Sequence, residues 1–494
     1  MFGEEAGRAG PHGSLRERAA SDPHGYWAAA ARQLALFEPF EHVLEGDPPR
    51  SRWFTGARLN ASYTCVDRHV EAGLGGRPAY LVEDGKGGAR TVSYAELREE
   101  VGRFANALHG LGVGRGDVVA MRLPDRLELP VAMLAAARIG AVHLVFDDDA
   151  PAALVRDCLA DAGASVLVST GGAGASAVTV TMLRDGAGEL RGGAGAGGSR
   201  SWEELVADEP VHCPPEAMGS EECLLLRYVT RPGGRLLGLE RSTGGYLAEV
   251  ALDARDLFEL DPGRDVLCCA VPLASAAGHA YGVYGPLANA VTSVIGAPRP
   301  GGAGAGGAFE LAGRLGVTVL SCATGDVAGL AREAGASSGR RMPELRRLLA
   351  IGERVDRDAF FALVGGVGDA TCRARFAHMT EETGAVLAAS VPVACGSSSP
   401  VQVEEPGPLV VALPGISLEV VDDGGRPVRS GAGHLTVSRP WPAMALSVRG
   451  RAEAYGEEYW GRYGGRFFAG GRASVEAGGA LRLLEPGAGP ALEA

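Results

Sequence analysis

Residues 230–238 combine the residue types that bind phosphate in many proteins. Glycine-rich turns bind phosphate because their backbone N–H groups approach the anion without steric clash, and a nearby cation neutralises its charge. The residues of these types in the segment are Thr230, Gly233, Gly234, Arg235 and Gly238. Pro232 removes one N–H donor from such an array. An ordinary turn after a strand at 223–229 is therefore the favoured interpretation, and binding of an anion by Arg231 and Arg235 stays open as the alternative.

The elements that would position this turn alternate between helix and strand from residue 92 onward. Apolar residues at spacings of three and four predict a helix at Tyr94, Leu97, Val101, Phe104, Leu108 and Leu111. Further strands are predicted at 117–123, 141–146 and 165–169, with helices at 127–139 and 151–162. This alternation is typical of a parallel sheet with helices on both faces, and it predicts an α/β fold.

Composition divides the rest of the chain. Tracts rich in glycine, alanine and serine at 171–198 and 299–308 predict flexible loops, because they bury too little apolar surface to offset the ordering entropy. Short alternating runs separated by turn residues predict a small β-rich subdomain at 407–485. Residues 1–25 and 486–494 are predicted to be flexible ends, and residues 26–406 to form the main α/β domain in two subdomains.

Charge and cysteine usage exclude several classes of protein. The net charge of −13 opposes binding to nucleic acid or to an anionic membrane. No apolar run reaches the roughly 18 residues that span a bilayer, and acidic residues stand where a secretory signal would be apolar, so we expect a cytoplasmic protein. Nine scattered cysteines without a CxxC pair predict reduced, mostly buried thiols. Lys86 is the single lysine.

The order of several longer phrases resembles acetyl-CoA synthetase. They include the phrase RWFTGARLNASYTCVDRHVEAGLGG from residue 52, then TVSYAELREEVGRFANALHGLGVGRGDVV, STGGYL, GHAYGVYGPLANA, LRRLLAIGERVDRDAF, EETG and GRYGGRFFAGG. Together they cover roughly residues 26–485. The resemblance implies the adenylate-forming superfamily, in which an acyl carboxylate attacks ATP and CoA then displaces AMP. It also implies two stacked β/α subdomains, and ATP, Mg²⁺ and CoA as the ligands of the family. Because the chain ends near the family's hinge, the family's mobile C-terminal domain is expected to be absent.

The family's phosphate-site residues are largely replaced. Its Tyr-Thr-Ser-Gly-Ser-Thr-Gly-Lys-Pro-Lys-Gly loop corresponds to residues 228–238, where most hydroxyls are missing and Arg235 stands for the first lysine. In the motif at 376–384, Glu381 stands where the family has the threonine that binds the α-phosphate, and Thr383 follows. A carboxylate at that place repels phosphate. Glu382 matches the acid that holds magnesium, a cation that prefers carboxylate oxygen.

The family's nucleotide and acyl contacts change as well. Its adenine-contacting Gly-Glu-Pro corresponds to Gly352, Glu353 and Arg354, and its ribose-binding aspartate to Gly471. The arginine that follows in the family falls at about Pro486. The acyl pocket is assigned to Ser275, Ala276, Ala277, Ile351 and Met379. Serine and methionine stand there for two tryptophans, so we expect any remaining pocket to be more open and less polar. His279 is expected to be a packed or capping residue rather than a base.

These replacements predict a degenerate family member with no assigned catalytic residue. Losing one preorganised donor to an oxyanion costs roughly 2.7 to 4 kcal/mol, and several contacts are lost together. The favoured function is a non-catalytic partner or ligand-binding subunit, working with a protein partner, with a second copy of itself, or with a small acyl or nucleotide ligand. The alternative is a divergent acyl-CoA or acyl-adenylate ligase that works with a separate C-terminal domain or a non-standard nucleotide mode.

Overall fold

The protein is described by a computed structural model, which covers residues 11–83, 88–170, 178–182, 199–296, 307–336, 344–367, 371–395 and 408–485. The α-helices are α1 (Pro11–Ser21), α2 (Pro23–Ala31), α3 (Tyr94–Gly110), α4 (Glu128–Arg138), α5 (Ala152–Ala162), α6 (Trp202–Val206), α7 (Thr243–Asp256), α8 (Ala276–Gly278), α9 (Gly285–Ala288), α10 (Ala308–Arg314), α11 (Val327–Ala336), α12 (Arg357–Gly366) and α13 (Ala452–Tyr459).

The strands of the first half are β1 (Leu36–Glu38), β2 (His42–Glu45), β3 (Arg52–Thr55), β4 (Arg58–Leu59), β5 (Pro78–Glu83), β6 (Ala89–Ser93), β7 (Val118–Arg122), β8 (Val142–Phe146), β9 (Ala164–Thr170), β10 (Val178–Met182), β11 (Ser199–Ser201), β12 (Met218–Gly219), β13 (Cys223–Thr230) and β14 (Leu236–Ser242). Those of the second half are β15 (Val266–Cys269), β16 (Thr292–Ile295), β17 (Val319–Ala323), β18 (Arg347–Gly352), β19 (Arg373–His378), β20 (Ala388–Ser390), β21 (Val393–Ala394), β22 (Val410–Ala412), β23 (Leu418–Val421), β24 (Gly431–Val437), β25 (Ala445–Val448), β26 (Arg472–Val475) and β27 (Leu481–Leu484).

Two large sheets with parallel centres form the fold. One has eight strands in the order β11-β10-β9-β7-β8-β13-β14-β25, and β9, β7, β8 and β13 run parallel. The other has fourteen strands, with a parallel centre in the order β19-β18-β17-β15-β16-β5. Two parallel-centred sheets packed with helices confirm the α/β class and the stacked subdomains.

Helix α3 shows how the sequence pattern produces these elements. Ser93 and Glu96 form a capping box, in which each side chain accepts a hydrogen bond from the other residue's backbone N–H. The predicted apolar stripe is buried from Tyr94 to Leu108, and Leu111 ends the helix partly buried. Helices α4 and α7 are buried on nearly every face, as expected for helices enclosed within a core.

Three predicted boundaries need correction. Residues 11–25, predicted to be flexible, are helical, because Asp22 caps α2 and Trp27 is buried in the core. Within the tract 171–198, residues 178–182 form β10, since Val178 and Val180 alternate inward and pair with β9. In the range 407–485, β25 joins the eight-stranded sheet through β14 instead of the β-rich part. The remainder of both loop tracts, Lys86 and the last nine residues lie outside the described residues.

The β-rich part extends the fourteen-stranded sheet. Strands β23, β24, β26 and β27 are antiparallel neighbours, and β27 pairs with β22 at a single position. All nine cysteines are free, and eight of them are buried, which agrees with the prediction of reduced thiols. Among the described residues, the helices are too short or too polar to cross a bilayer.

Candidate functional site

The candidate site lies where several strands of the two sheets end. Strand β13 leads into the turn at 231–235, and β19 leads into the segment 380–384. The segment 272–276 follows β15 and begins α8. In α/β folds, ligands bind in a crevice beyond the carboxyl ends of parallel strands. The structure therefore brings the predicted phosphate turn, the segment containing Glu381 and Glu382, and the first acyl-pocket residues to one place.

Arg227 and Glu381 form an ion pair in this crevice. The Arg227 Nη2 atom lies 2.5 Å from Oε2 of Glu381, and Nε lies 3.1 Å from the same oxygen. Arg227 also donates to the carbonyl oxygen of Ala274. The Glu381 carboxylate accepts the N–H of Ala276, with Oε1 at 3.0 Å. A charge-assisted pair with a backbone donor satisfies the carboxylate within the protein.

A second group of charges surrounds Arg231. Its guanidinium lies 3.8 Å from Oε1 of Glu382 and 3.7 Å from Oε2 of Glu458, and it stacks 5.1 Å from the centre of the Tyr459 ring. Arg235 also contacts Glu458. The Arg231 side chain is 12% exposed and those of Glu382 and Glu458 are 16% and 13% exposed, so the group is partly shielded from water. Both arginines that could bind an anion already have acidic neighbours.

The turn between β13 and β14 is a tight antiparallel hairpin. The N–H of Arg231 donates to the carbonyl of Arg235 over 2.8 Å, and the N–H of Gly234 donates to that of Arg231 over 3.0 Å. Gly233 and Gly234 adopt φ of 83° and 79°, which the turn needs and other residues disfavour. The glycines therefore serve the turn, and the N–H groups of Arg231 and Gly234 are bonded within it instead of being directed at an anion. Thr230 ends β13 in pairing with Leu236, and Gly238 pairs with Tyr228.

Arg241 is hydrogen-bonded to the backbone of the segment that contains Glu381 and Glu382. This fully buried guanidinium donates to the carbonyl oxygens of Glu381, Glu382 and Ala443 over 2.8, 2.7 and 2.7 Å. Burial lowers the pKa of Arg241. The Thr383 hydroxyl bonds to the N–H of Thr380 and to nearby carbonyls. Because its hydroxyl is engaged in the local turn, Thr383 stabilises the loop.

The predicted nucleotide residues line a cavity of about 270 Å³, which Thr380 of the crevice segment also borders. Glu353, Arg354, Thr383 and Gly471 all border it, whereas Gly352 ends β18 beside it. Burial and the nearby Glu382 and Glu381 raise the pKa of Glu353. Arg354 forms an ion pair with Glu485 at 2.6 Å. The cavity has room for a side chain at Gly471, because a Cβ there would meet only Leu435, at 3.6 Å.

The predicted acyl-pocket residues differ in their burial, and their assignment to an acyl pocket stays a prediction. Ser275 caps α8, with its hydroxyl donating to Pro272 and accepting from Gly278. The Ala276 N–H contacts Glu381, Ala277 is half-buried beside it, and Ile351 and Met379 are buried in the core. These residues were expected to surround a less polar pocket, but Ala276 lies against the ion pair of Glu381 and Arg227. The sequence-based prediction did not include Arg227.

His279 is packed, in agreement with its interpretation as a structural residue. Its Nδ1 lies 2.9 Å from the carbonyl oxygen of Ser275, and its ring stacks on His143 with centroids 5.6 Å apart. Burial, assisted by the positive charge of Arg227, lowers the pKa of His279 to about 3. The imidazole is therefore neutral at physiological pH and unsuited to act as a cationic acid.

Magnesium and ATP do not fit these residues well. The Glu382 carboxylate faces the Arg231 guanidinium, which repels a divalent cation. Within the described residues, no group of three His, Cys, Asp or Glu side chains has metal-binding geometry. The backbone of the turn and the Glu381 carboxylate offer a triphosphate little positive potential.

Sequence reasoning missed the cations and acids that fill the crevice. These are Arg227, Arg241 and Glu458. The ring of Tyr459, on which Arg231 stacks, was missed as well. One signal was present, since Arg227 interrupts the apolar run Leu224–Leu226 in a central strand, where a charge is rare without a partner. Glu458 lies on α13, more than 200 residues from Arg231, and nothing local in the sequence connects them.

Comparison with known families identifies matches over most of the chain. The profile described as AMP-binding enzyme matches residues 67–446, and the one described as acetyl-coenzyme A synthetase N-terminus matches residues 13–65. An acetyl-coenzyme A synthetase of Gemmatimonas aurantiaca is 33% identical over 499 residues, covering 95% of this chain and 75% of the relative. One of Streptomyces avermitilis is 35% identical over 491 residues, covering 95% of this chain and 74% of the relative.

A solved structure supports the same architecture. An acetoacetyl-CoA synthetase from Streptomyces lividans superposes with a TM-score of 0.78, covering 97% of this chain and 76% of that one. Its sequence identity is 22%, so this likeness bears on the fold alone.

Proposed function

The chain belongs to the AMP-binding enzyme family and is acetyl-coenzyme A synthetase-like, and from this premise we propose that it is a member that does not form acyl adenylates. In this proposal the chain acts as a non-catalytic subunit, which binds a small acyl or nucleotide ligand or associates with a protein partner or a second copy of itself.

The proposal rests mainly on the hydrogen bonds and the ion pair of Glu381. Its carboxylate accepts hydrogen bonds from Arg227 and from the N–H of Ala276. The resemblance to the family places Glu381 at the position of the threonine that binds the α-phosphate. A phosphate at that place would meet a negative charge, and Arg227, the nearest cation, is already neutralised by it.

The environment of Glu382 supports the same conclusion. This residue is the one acid that the resemblance assigns to magnesium, and Arg231 faces it at 3.8 Å. A bound metal would have to displace that guanidinium from Glu382, Glu458 and Tyr459 together. Displacing a partly buried group from three partners weakens metal binding by the free energy of those contacts.

A divergent ligase is the second candidate. The extent of the match favours it, since relatives named acetyl-coenzyme A synthetase align with 95% of the chain at 33% to 35% identity. The Glu381 side chain is 38% exposed. In this candidate, Glu381 would turn toward solvent, and the freed Arg227 would bind a phosphate of a nucleotide held in a non-standard way.

Acetate-dependent exchange between pyrophosphate and ATP tests the proposal, because it reports only the first chemical step of the family. The purified full chain is expected to show no exchange above a Glu382→Ala variant. Exchange well above that variant would refute the proposal and favour the divergent ligase.

Calorimetric titration separates the two candidates at the level of binding. We expect no saturable heat with Mg-ATP, because the phosphate positions are occupied by internal ion pairs. Titration with AMP and CoA in the same buffer tests whether smaller or differently held ligands bind. Saturable Mg-ATP binding that Glu382→Ala abolishes would identify an intact metal and nucleotide site.

A further inference from the structure

A second cavity, of about 290 Å³, lies under helix α7. Its wall is formed by α7, by α1 and α2, and by residues of β20 and β22. Trp27, Leu252, Val386 and Leu413 supply apolar surface. None of the described residues that line this cavity belongs to the crevice of Glu381 and Glu382. The cavity is therefore distinct from the site of the proposed function, and its apolar lining suits the hydrocarbon part of a small molecule.

Two buried carboxyl groups, one turn apart on α7, belong to the cavity wall. Glu249 is 1% exposed, and its Oε2 accepts the N–H of Ala443 at 2.7 Å. Its Oε1 has no hydrogen-bond partner among the described residues. Asp253 is 6% exposed, and its Oδ2 accepts the hydroxyl of Tyr281 at 2.6 Å. Native proteins rarely leave a buried carboxyl oxygen unsatisfied, so a hydrogen-bond partner missing from the protein itself is indicated.

The other charged groups of the cavity wall include two cations, Arg16 and Arg375, and Nε of Arg375 has no hydrogen-bond partner among the described residues. Asp256 pairs with Arg255 at 2.6 Å. Arg375 lies 3.6 Å from Glu259, and Arg16 donates to the carbonyl oxygen of Ala412 over 3.0 Å. The two acids on α7 have no cation paired with them among the described residues. Burial raises the pKa of both acids, that of Asp253 to about 7.

We propose that this cavity binds a small apolar molecule that carries a protonated primary amine. The ammonium group donates three hydrogen bonds and adds the positive charge that Asp253 and Glu249 lack. An alcohol donates only one hydrogen bond and brings no charge. A carboxylate would place a further negative charge beside ionised Asp253. The residues that line the cavity therefore favour a ligand with an amine over one with an alcohol or a carboxylate.

Three probes of similar size test this selection with the full chain. 2-Phenylethylamine, 2-phenylethanol and 3-phenylpropanoate are titrated at pH 8 by calorimetry. The amine is expected to bind at least about ten-fold more tightly than the alcohol or the carboxylate, which corresponds to one strong charged hydrogen bond. Equal binding of the alcohol, preferential binding of the carboxylate, or no binding of the amine would overturn the proposal.

Variants distinguish the cavity from general binding to an acidic protein. Asp253→Asn removes the charge and keeps an oxygen for Tyr281, and it is expected to weaken amine binding at least about ten-fold. Asp157→Asn makes the same change on the surface of α5, where the side chain is 54% exposed, and it is expected to leave binding unchanged. An equal loss in both variants would contradict the assignment.

A third variant keeps the test decisive if Asp253→Asn fails to fold. Val391, at the cavity wall, is 67% exposed, so Val391→Trp enlarges a side chain without disturbing the core. It is expected to weaken amine binding while the thermal unfolding midpoint stays within a few degrees. Unchanged affinity in a folded Val391→Trp variant would exclude this cavity, whether or not Asp253→Asn folds.

Binding should also depend on pH in a defined direction. The titratable and charged groups around Asp253 are Glu249 and Asp256 on α7, Tyr26 on α2 and Tyr281, with Arg16 and Arg375 elsewhere in the cavity wall. Because an ammonium prefers ionised Asp253, affinity is expected to rise about ten-fold from pH 6 to pH 8. Affinity that stays constant over this range would contradict the ion pair. None of these outcomes depends on the pyrophosphate exchange that tests the proposed function.

Discussion

Arg241 and Glu249 bind opposite sides of a single residue, Ala443. Arg241 Nη1 donates to the Ala443 carbonyl oxygen over 2.7 Å, and Glu249 Oε2 accepts the Ala443 N–H over 2.7 Å. Arg241 also holds the carbonyl oxygens of Glu381 and Glu382. One buried residue therefore connects the crevice loop to the cavity under α7, and both side chains hold it in place.

The first prediction concerns Arg241. Replacing it by methionine keeps most of the buried volume but leaves three carbonyl oxygens without their donor. We expect Arg241→Met to lower the free energy of unfolding in urea by about 3 to 5 kcal/mol. Arg156→Met, at a side chain that is 73% exposed, should change it by less than about 0.5 kcal/mol. Similar losses in the two variants would contradict the structural role of Arg241.

The second prediction concerns the pH dependence of stability at Asp253. Its pKa is about 7 in the folded chain, against an ordinary value of 3.8. Between these values the folded state keeps a proton that the unfolded state releases, so stability falls as pH rises from about 4 to 7 and is constant above. Asparagine does not titrate. The stability of Asp253→Asn relative to the parent should therefore increase by on the order of 4 kcal/mol from pH 4 to pH 8.

Urea unfolding at closely spaced pH values measures this difference. A difference that is independent of pH would show that the Asp253 pKa is not raised. A difference that decreases with pH would show an ordinary carboxylate that is stabilised by its partners.

The third prediction uses two glycines in helices. A Cβ at Gly102, inside α3, would overlap the Val211 carbonyl oxygen, so Gly102→Ala should destabilise the fold by about 1 to 3 kcal/mol. A Cβ at Gly313 in α10 meets nothing within 4 Å, and Gly313→Ala should stabilise it by up to about 1 kcal/mol. Thermal unfolding should give a lower midpoint for Gly102→Ala and a higher one for Gly313→Ala. Equal shifts of the two midpoints would contradict the close packing at Gly102.

The fourth prediction concerns restoration of nucleotide binding. Glu381→Thr removes the carboxylate and frees Arg227 for an anion, and Gly471→Asp supplies an acceptor where the cavity has room for a side chain. The double variant is expected to show saturable Mg-ATP binding by calorimetry. Gly471→Asp alone is expected to show none, because Glu381 still neutralises Arg227. Binding in the single variant would show that Glu381 does not block the phosphate position.

The sequence predicted those elements whose pattern is local. The helix at 127–139 and the strand at 141–146 are observed as Glu128–Arg138 and Val142–Phe146, because apolar periodicity and glycine stops act within a few residues. Strand β10 was missed because its surroundings are rich in glycine and alanine. Its valines gain their stability from pairing with β9, which is a tertiary effect.

In the candidate site, only replacements of single residues within a family motif could be predicted from the sequence. Glu381 and Gly471 were identified as replacements from their motifs, and their assignment to nucleotide contacts stays a prediction. The ion pairs with Arg227 and Arg231 could not be predicted, because their partners lie more than 150 residues away and meet only when the two sheets pack.

The pairing of β14 with β25 has a consequence for biosynthesis. Leu239 pairs with Val448, so the eight-stranded sheet is incomplete until roughly 200 further residues have left the ribosome, on the order of ten seconds or more. During that interval the nascent chain exposes the edge of β14, and an open edge can pair with another chain. Glu240, which later binds Arg449 at 3.0 Å, places a charge in that edge strand and disfavours such pairing while its partner strand is still being translated.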